Sequence, residues 1–490
     1  MQQSEKRDLS RRIWLVSVPI IIQNLISAAV NSADVVMTGF IGQSALSALS
    51  LASQYPWIVA MYFLGISSGV VMMGSQYWGR ENLAAIDHVQ GIAYRYALPV
   101  GLLLLFSCSC CPELMMQVYT GDPELIGLGV RYLRMMGPCF LFWSISVIYL
   151  AGLKSMERVR VSTVSEIIAM AVNVYLNACF IFGLCGLPKL GLAGIGLATS
   201  ISRLVQMLIC IGVSICSRNL KMKPGMVFRF DRLLAADYRR IALPAVLNEV
   251  GWGLGFSMYS SIFGHLGSDV VAANSILTVV RNLACSGCWA MGVASGIIVG
   301  RYLGAGRIED GKYASARMFR MALLSGFAGA LLILILSPFV IRAARISDVS
   351  RDYLRFMLYV NCVYVIGSAV NATMISGILR SGGDAIWGLK CDLIVMWLYA
   401  VPLGALAAFV FKWPVKVVYL LISTDEFIKW PFVFRRYYSY RWANDITRDF
   451  RPEKTHENPA CLPKGEKEVK FEYQKKEVPL NDVQVHDSGR

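Results

Sequence analysis

The chain has 490 residues, 56% of them hydrophobic and 16% charged, with a mean hydropathy of +0.52 and a formal net charge of +15. Soluble domains carry about 25% charged residues, and a soluble fold of this composition would expose large apolar patches, so the class is a membrane protein. A soluble multidomain enzyme is excluded, as are disordered, collagenous and coiled-coil chains, whose polarity, glycine period or heptads are missing.

The basic residues lie between apolar runs and in the C-terminal tail, not in one stripe interleaved with aromatics. That distribution is a topology signal and gives no support to a nucleic-acid partner. Most of the thirteen cysteines (Cys108, Cys110, Cys111, Cys179 and Cys210 among them) sit inside apolar runs, where they pack as small apolar side chains. Cys285-Ser-Gly-Cys288 has neither a second pair nor a His in its run, which leaves it a weak metal or redox signal.

A spanning helix takes about 20 mostly apolar residues. Twelve such runs begin near Ile13, Ser53, Gly91, Gly129, Val161, Leu192, Ile241, Ile276, Met318, Tyr353, Ile386 and Trp413. The first follows Lys6, Arg7, Arg11 and Arg12, is too long for a signal segment and lacks a small-residue cleavage site, so it is read as a retained span. From a cytoplasmic start, the inner connections carry Lys154, Arg158 and Arg160, then a cluster from Arg218 to Arg240, then Arg307, Lys312 and Arg317. The outer connections expected around 40–52, 112–127 and 264–275 carry no Lys or Arg, whereas the one with Arg342, Arg345 and Arg351 departs from the rule. A multi-pass protein of the cytoplasmic membrane with both termini cytoplasmic is expected.

The longest polar interruption divides the spans six and six. Residues 1–216 are read as an N-terminal six-helix bundle, 217–240 as a cytoplasmic linker, 241–436 as a C-terminal bundle and 437–490 as a polar, disordered tail. The halves repeat at an offset of about 225 residues: Pro19 with Pro244, Gly42 with Gly267, Ala48 with Ala273, Tyr77 with Tyr302, Gly79 with Gly304. Six spans per repeat put both halves in the same orientation, which is transporter architecture with its site near mid-membrane. The fold class is therefore all-α and polytopic, with about twelve transmembrane helices in two pseudo-symmetric bundles.

Ionisable groups within spans cost about 2.5–3.5 kcal/mol each at the membrane centre, which makes each a functional candidate. They are Asp34, Glu166, Arg203, Glu249, Arg281, Asp392, Asp425, Glu426 and Lys429. On the first span Gln23, Ser27, Asn31 and Asp34 fall within about 80° of one another at helical pitch. A carboxylate framed by amide and hydroxyl oxygens can ligate a cation or accept a proton, and the stripe argues against a lone cap at the helix end. On the fifth span Glu166, Asn173 and Asn177 share a face, with an interhelical hydrogen-bond seam as the alternative.

Glu249 shares a face with Phe256, the pattern of a groove wall bearing an aromatic for a flat substrate. Asp392 is the repeat counterpart of Glu166; a shared role and simple pairing with a nearby Arg both account for it. Arg203 and Arg281 are read as counter-charges, and Asp425, Glu426 and Lys429 as a group that satisfies itself along one helix. The glycine patterns at 191–196 and 251–255 lie in spans and signify close helix packing, not nucleotide binding. No P-loop, H-E-x-x-H or G-x-S-x-G is present, so neither ATP-driven transport nor hydrolase chemistry has support.

Pro19 with Asp34 fifteen residues on, Gly39-Phe-Ile-Gly42 before an Ala-rich stretch, Gly74-Ser-Gln-Tyr-Trp-Gly79 and Leu379-Arg-Ser-Gly-Gly-Asp384, on a six-plus-six repeat, resemble the multidrug and toxic compound extrusion (MATE) family over about residues 13–436. The resemblance implies two six-helix bundles around a central cavity and export of cationic amphipathic compounds in exchange for sodium or protons. By position, Asp34 and Asn173 match the family's cation pocket, with Na⁺ at Asp34, Asn173 and Asn177 as one possibility. Asn177 stands where that family has an aspartate, which weakens a two-carboxylate sodium site and leaves Asp34 and Glu166 as titrating groups. Glu249 resembles a seventh-span acid of the family, and the substrate set then comprises Glu249, Gln23, Phe256 and Asp392.

The expected function is a secondary antiporter, not an enzyme, that exports small organic cations in exchange for H⁺ or Na⁺, working as a monomer in the lipid bilayer without a cofactor. The alternatives are a flippase for lipid-linked saccharides, which calls for a basic cavity, and a membrane-embedded enzyme or receptor, which calls for a long soluble connection absent from the sequence.

Overall fold

A computed structural model describes residues 3–217, 220–222, 224–228, 231–344 and 346–449, without the side chains of 3–4, 31–36, 39, 224 and 228. Twelve helical passes account for the bundle. They are α1 (Gln3–Gly39), α2 (Gln43–Gly79), α3 (Leu83–Cys110), α4 (Pro123–Ser155), α5 (Val159–Phe182), α6 (Leu192–Cys216), α7 (Arg232–His265), α8 (Ser268–Gly304), α9 (Ile308–Ala343), α10 (Asp348–Leu379), α11 (Ala385–Val410) and α12, which is built from Val415–Ser423, Asp425–Ile428 and Trp430–Tyr438. Ten of them are long and apolar enough to cross a membrane; α7, with its charged first turns, and the segmented α12 complete the set.

Polar caps start several passes and account for helices that begin before their apolar runs. Asn82 accepts from the amide of Ala85 at 3.0 Å, Asp231 from that of Leu234 at 2.9 Å and Ser347 from that of Ser350 at 3.1 Å. The stretches expected as connections at 40–52 and 264–275 are accordingly mostly helix: Gln43–Ala52 opens α2 and Ser268 opens α8. Lack of charge marks a connection only when chain direction must also change, and Gly42 and Gly267, both at positive φ, are where it changes.

The two halves pack by a repeated rule. α2 lies against α8 on the axis between them, α1 against α8, and α7 against α2. A Cβ on Gly79 would stand 2.2 Å from the carbonyl oxygen of Arg301, and one on its repeat mate Gly304 would stand 2.0 Å from that of Gln76. At the end where the described residues begin and finish, α2 and α8 therefore touch backbone to backbone. Ion pairs close the same end: Arg301 with Glu157 at 2.7 Å, Arg12 with Glu157 at 3.6 Å and Arg307 with Glu5 at 2.7 Å. Burial pushes the Glu157 carboxyl above its ordinary range, with Arg12 opposing that shift and Asp8 adding to it.

Residues 437–449, read from the sequence as the start of a disordered tail, pack as a strap across this closed end. Trp442 is fully buried, with its indole N–H donating to the carbonyl of Tyr437 at 3.0 Å, and Arg80 pairs with Asp445 at 2.7 Å and Asp449 at 3.0 Å. Few apolar residues were needed, because one buried tryptophan and several charge-assisted bonds hold the strap. The remainder of the expected tail lies outside the described residues. Gln76 of α2 is the tie: its amide donates to the carbonyls of Ser381 (2.7 Å) and Asn444 (3.2 Å) and accepts from the amide of Ile446 (2.9 Å). Gln76→Ala strands those groups at about 1–3 kcal/mol for each one left unsatisfied. The expected result is faster tryptic cleavage at Arg441 and Arg448 in the folded protein; an unchanged cleavage rate would count against the tie.

Candidate functional site

In the N-terminal half, α1, α5 and α6 bring the predicted polar groups together. Asn173 donates to Thr199 Oγ1 at 3.3 Å, Asn177 donates to Asn173 Oδ1 at 3.2 Å, and Ser27 contacts the Met170 sulfur at 3.5 Å. The two asparagines thus bond each other along α5, while the Asn173–Thr199 bond crosses to α6. Gln23 Oε1 is buried without a hydrogen-bond partner among the described residues. Asn31 and Asp34 continue the stripe on α1, but their side chains lie outside the described residues.

Glu166 does not belong with this group. Its two oxygens are taken by Arg203 at 3.0 Å and Gln206 Nε2 at 2.5 Å, and Arg203 in turn lies over the Trp143 ring, 4.9 Å from its centroid. The structure places Glu166 in an α5–α6 ion pair, with Arg203 as its counter-charge. Glu249 is likewise engaged. Arg380, only 4% exposed, holds it at 2.9 Å and also donates to Ser68 of α2 at 3.0 Å, so the expected groove acid ties α7, α10 and the opposite half together.

The C-terminal half gathers the largest concentration of buried charge. Lys429 on α12 pairs with Asp392 on α11 at 3.0 Å and stands 3.7 Å from Glu426. The partner of Asp392 is therefore a lysine, not the arginine expected, and Lys429 reaches a neighbouring helix instead of serving only its own. Asn248 donates to the second Asp392 oxygen at 3.1 Å; Tyr364 donates to Glu426 at 3.3 Å, Asn371 donates to the same carboxylate, and Tyr259 donates to Asp425 at 3.2 Å. Asp392 is 9% exposed, Glu426 3%, Asp425 1% and Lys429 1%. Two carboxylates thus contact one ammonium, with Asp425 next to Glu426 in sequence; with all ionised these four groups hold two negative charges in excess, of which the Arg281 guanidinium lining the same cavity as Asp425 offsets one. Charge of that kind is not sustained in an apolar interior without a proton, a cation or a counter-charge.

The backbone is irregular at the same level. α10 passes into π-helical turns at Ala372–Leu379, directly after Asn371, and α11 does so at Val395–Ala400, just after Asp392. Such turns widen the helix and free backbone groups, and they concentrate at functional positions. Above the cluster a cavity of about 30 Å³ is lined by Phe256, Tyr259, Arg281, Asn361, Tyr364 and Asp425 among others. Phe256 lines this cavity, whereas Glu249, expected on the same groove wall, is not among its lining residues. Sequence reasoning named Asp425, Glu426 and Lys429 but read them as a group that satisfies itself along one helix. The signal available was two adjacent acids in an apolar run, more than a single lysine on that helix neutralises.

This geometry, a twofold-repeated helical bundle with buried charge, meets an independent finding: the MatE family model matches residues 19–179 and again 244–406. The chain belongs to the MATE family of transporters. Among its relatives, the probable multidrug resistance protein YoeA of Bacillus subtilis is 21% identical over 82% of this chain and 88% of its own length. The probable multidrug resistance protein NorM of Thermotoga maritima is 20% identical over 82% and 87%. An outward-facing multidrug resistance MATE transporter of the MOP superfamily superposes with a TM-score of 0.80 at 16% identity, over 88% of this chain and 96% of that one. A MOP superfamily transporter from Pyrococcus furiosus, described as having a binding pocket of reverse polarity, also gives 0.80 at 15% identity, with the same coverage. As a MATE protein the chain is a membrane transporter and not an enzyme.

Proposed function

We propose that this MATE protein is a secondary antiporter of the cytoplasmic membrane, exporting cationic or amphipathic small molecules in exchange for H⁺ or Na⁺, with both termini and the strap on the cytoplasmic side. The multidrug-resistance names of its relatives support the substrate class, and the lysine- and arginine-bearing connections support the orientation. The observation that carries the exchange is the carboxylate excess around Lys429. A buried site short of positive charge binds an organic cation or the coupling ion but gains little from both, so arrival of one favours release of the other. In the N-terminal half the candidate carboxylate is Asp34, with Asn31 on the same face of α1 and Asn173 and Asn177 assigned to its pocket by the family resemblance.

An inward-negative potential adds about 2.3 kcal/mol per translocated charge per 100 mV. The test is a reconstituted system with a fluorescent organic cation, in which a pH gradient and a sodium gradient are imposed separately. The cation is expected to accumulate against its gradient when the proton gradient is present, and Asp34→Asn and Asp425→Asn are each expected to reduce that flux tenfold or more. Flux indifferent to both gradients would remove antiport from the description.

A further inference from the structure

One charge lining the C-terminal cavity has no ion-pair partner among the described residues. Arg281 of α8 lines the cavity with its guanidinium 5.0 Å from the centroid of the Phe256 ring, and no carboxylate lies within ion-pair distance of it among the described residues. Phe256 is itself braced by Trp252, at 4.2 Å between ring centroids. A guanidinium held by an aromatic face keeps its edge donors available, and those donors match a carboxylate in two-point geometry.

The cavity also contains the opposite need. Asp425 and Asn361, each 1% exposed, both line it, and Asp425 Oδ1 and Asn361 Oδ1 lack a hydrogen-bond partner among the described residues. Asp425 spends its other oxygen on the Tyr259 hydroxyl, and Asn361 spends its amide N–H on the Met357 carbonyl and the Tyr419 hydroxyl. Two buried acceptors are thus left facing a space that carries a donor cluster elsewhere on its wall. Buried polar atoms of this kind are satisfied by something that enters. About 30 Å³ holds roughly two waters, so the space takes a compact headgroup and leaves the body of a ligand outside.

We propose that this cavity is a subsite for the zwitterionic headgroup of an amino-carboxylate compound, with Arg281 binding the carboxylate and Asp425 together with Asn361 binding the ammonium. The proposal rests on the reading of the chain as an exporter, and it narrows the cargo from organic cations in general to those that also carry an acid group. A plain cation placed in the cavity would leave Arg281 unmatched and near a like charge; a zwitterion satisfies both walls. Selection therefore comes from the penalty on the wrong ligand as much as from attraction to the right one.

Equilibrium binding to the purified full-length protein in detergent tests this without reference to transport. Three matched probes are used: an aryl-substituted amino acid, its methyl ester, which is a monocation, and its N-acetyl derivative, which is a monoanion. The wild type is expected to bind the amino acid at least tenfold more tightly than the ester. Arg281→Gln is expected to bring that ratio to about one, and Arg281→Lys to recover part of it, as a charge effect requires and a packing defect does not. Asp425→Asn is expected to weaken the amino acid relative to the N-acetyl acid. A preference for the amino acid that survives Arg281→Gln in a monodisperse protein, or no preference in the wild type, overturns the proposal. Loss of gradient-driven flux with the tenfold ratio intact overturns antiport alone, and loss of the ratio with coupled flux intact overturns the subsite alone.

Discussion

Lys429→Met is expected to cost about 3–5 kcal/mol of stability, the penalty for leaving buried carboxylates without their counter-charge. The lysine is 1% exposed and, among the described residues, is the only ammonium within 4.0 Å of Asp392 and Glu426. Methionine fills a similar volume, so the loss measures charge and not a cavity. The informative companion is Lys429→Met combined with Asp392→Asn, which removes one charge of each sign and still lets position 392 hydrogen bond with Asn248. The double variant is expected to regain most of the stability lost by the single one, read as thermal unfolding midpoints in detergent. A single variant as stable as wild type, or a double variant no better than the single, would show that the pair does not hold the α11–α12 contact together.

Gly304→Ala is the second large effect, and it acts on conformation. The added Cβ would stand 2.0 Å from the carbonyl oxygen of Gln76, a backbone atom that no rotamer change can move. Overpacking of this kind costs about 1–3 kcal/mol, and that cost shifts an equilibrium by about 5–150-fold. Because the contact exists only while α2 and α8 meet at the strap end, the state in which that end parts gains by the same factor. Amide exchange in residues 76–83 and 301–307 is expected to accelerate correspondingly. Gly79→Ala, whose Cβ would meet Arg301 at 2.2 Å, is expected to behave alike, and Gly212→Ala, with nothing within 4 Å, to leave exchange unchanged. Equal exchange in all three variants would sink the idea that the glycine pair sets the closed end.

How far the site could be read in advance depended on the reach of each side chain. The asparagines at 173 and 177 stand one turn apart on one face, and a helix brings such a pair together by geometry alone; the structure joins them at 3.2 Å. Glu166 shares that face by the same arithmetic, yet its partners are on α6, 37 and 40 residues away. Periodicity reports which face a residue occupies but not which helix lies opposite, so the acid looked available when it was paired. Lys429 misled in the other direction. Its neighbours Asp425 and Glu426 offered a local explanation, while its shortest contact is to Asp392 on another helix.

The composition and the spacing of apolar runs by themselves determined a polytopic helical bundle, because a bilayer leaves so few ways to satisfy a backbone. The repeat determined the pseudo-symmetry, since Gly79 and Gly304 keep equivalent places in each half and each lets α2 and α8 meet backbone to backbone. Tertiary structure alone decided which buried charges are spent and which remain. Low charge content made each intramembrane acid stand out, but pairing is a matter of neighbours across helices. Only with α7, α8, α10 and α12 in place does Arg281 face a cavity with Asp425, while Glu166 and Glu249 close into ion pairs.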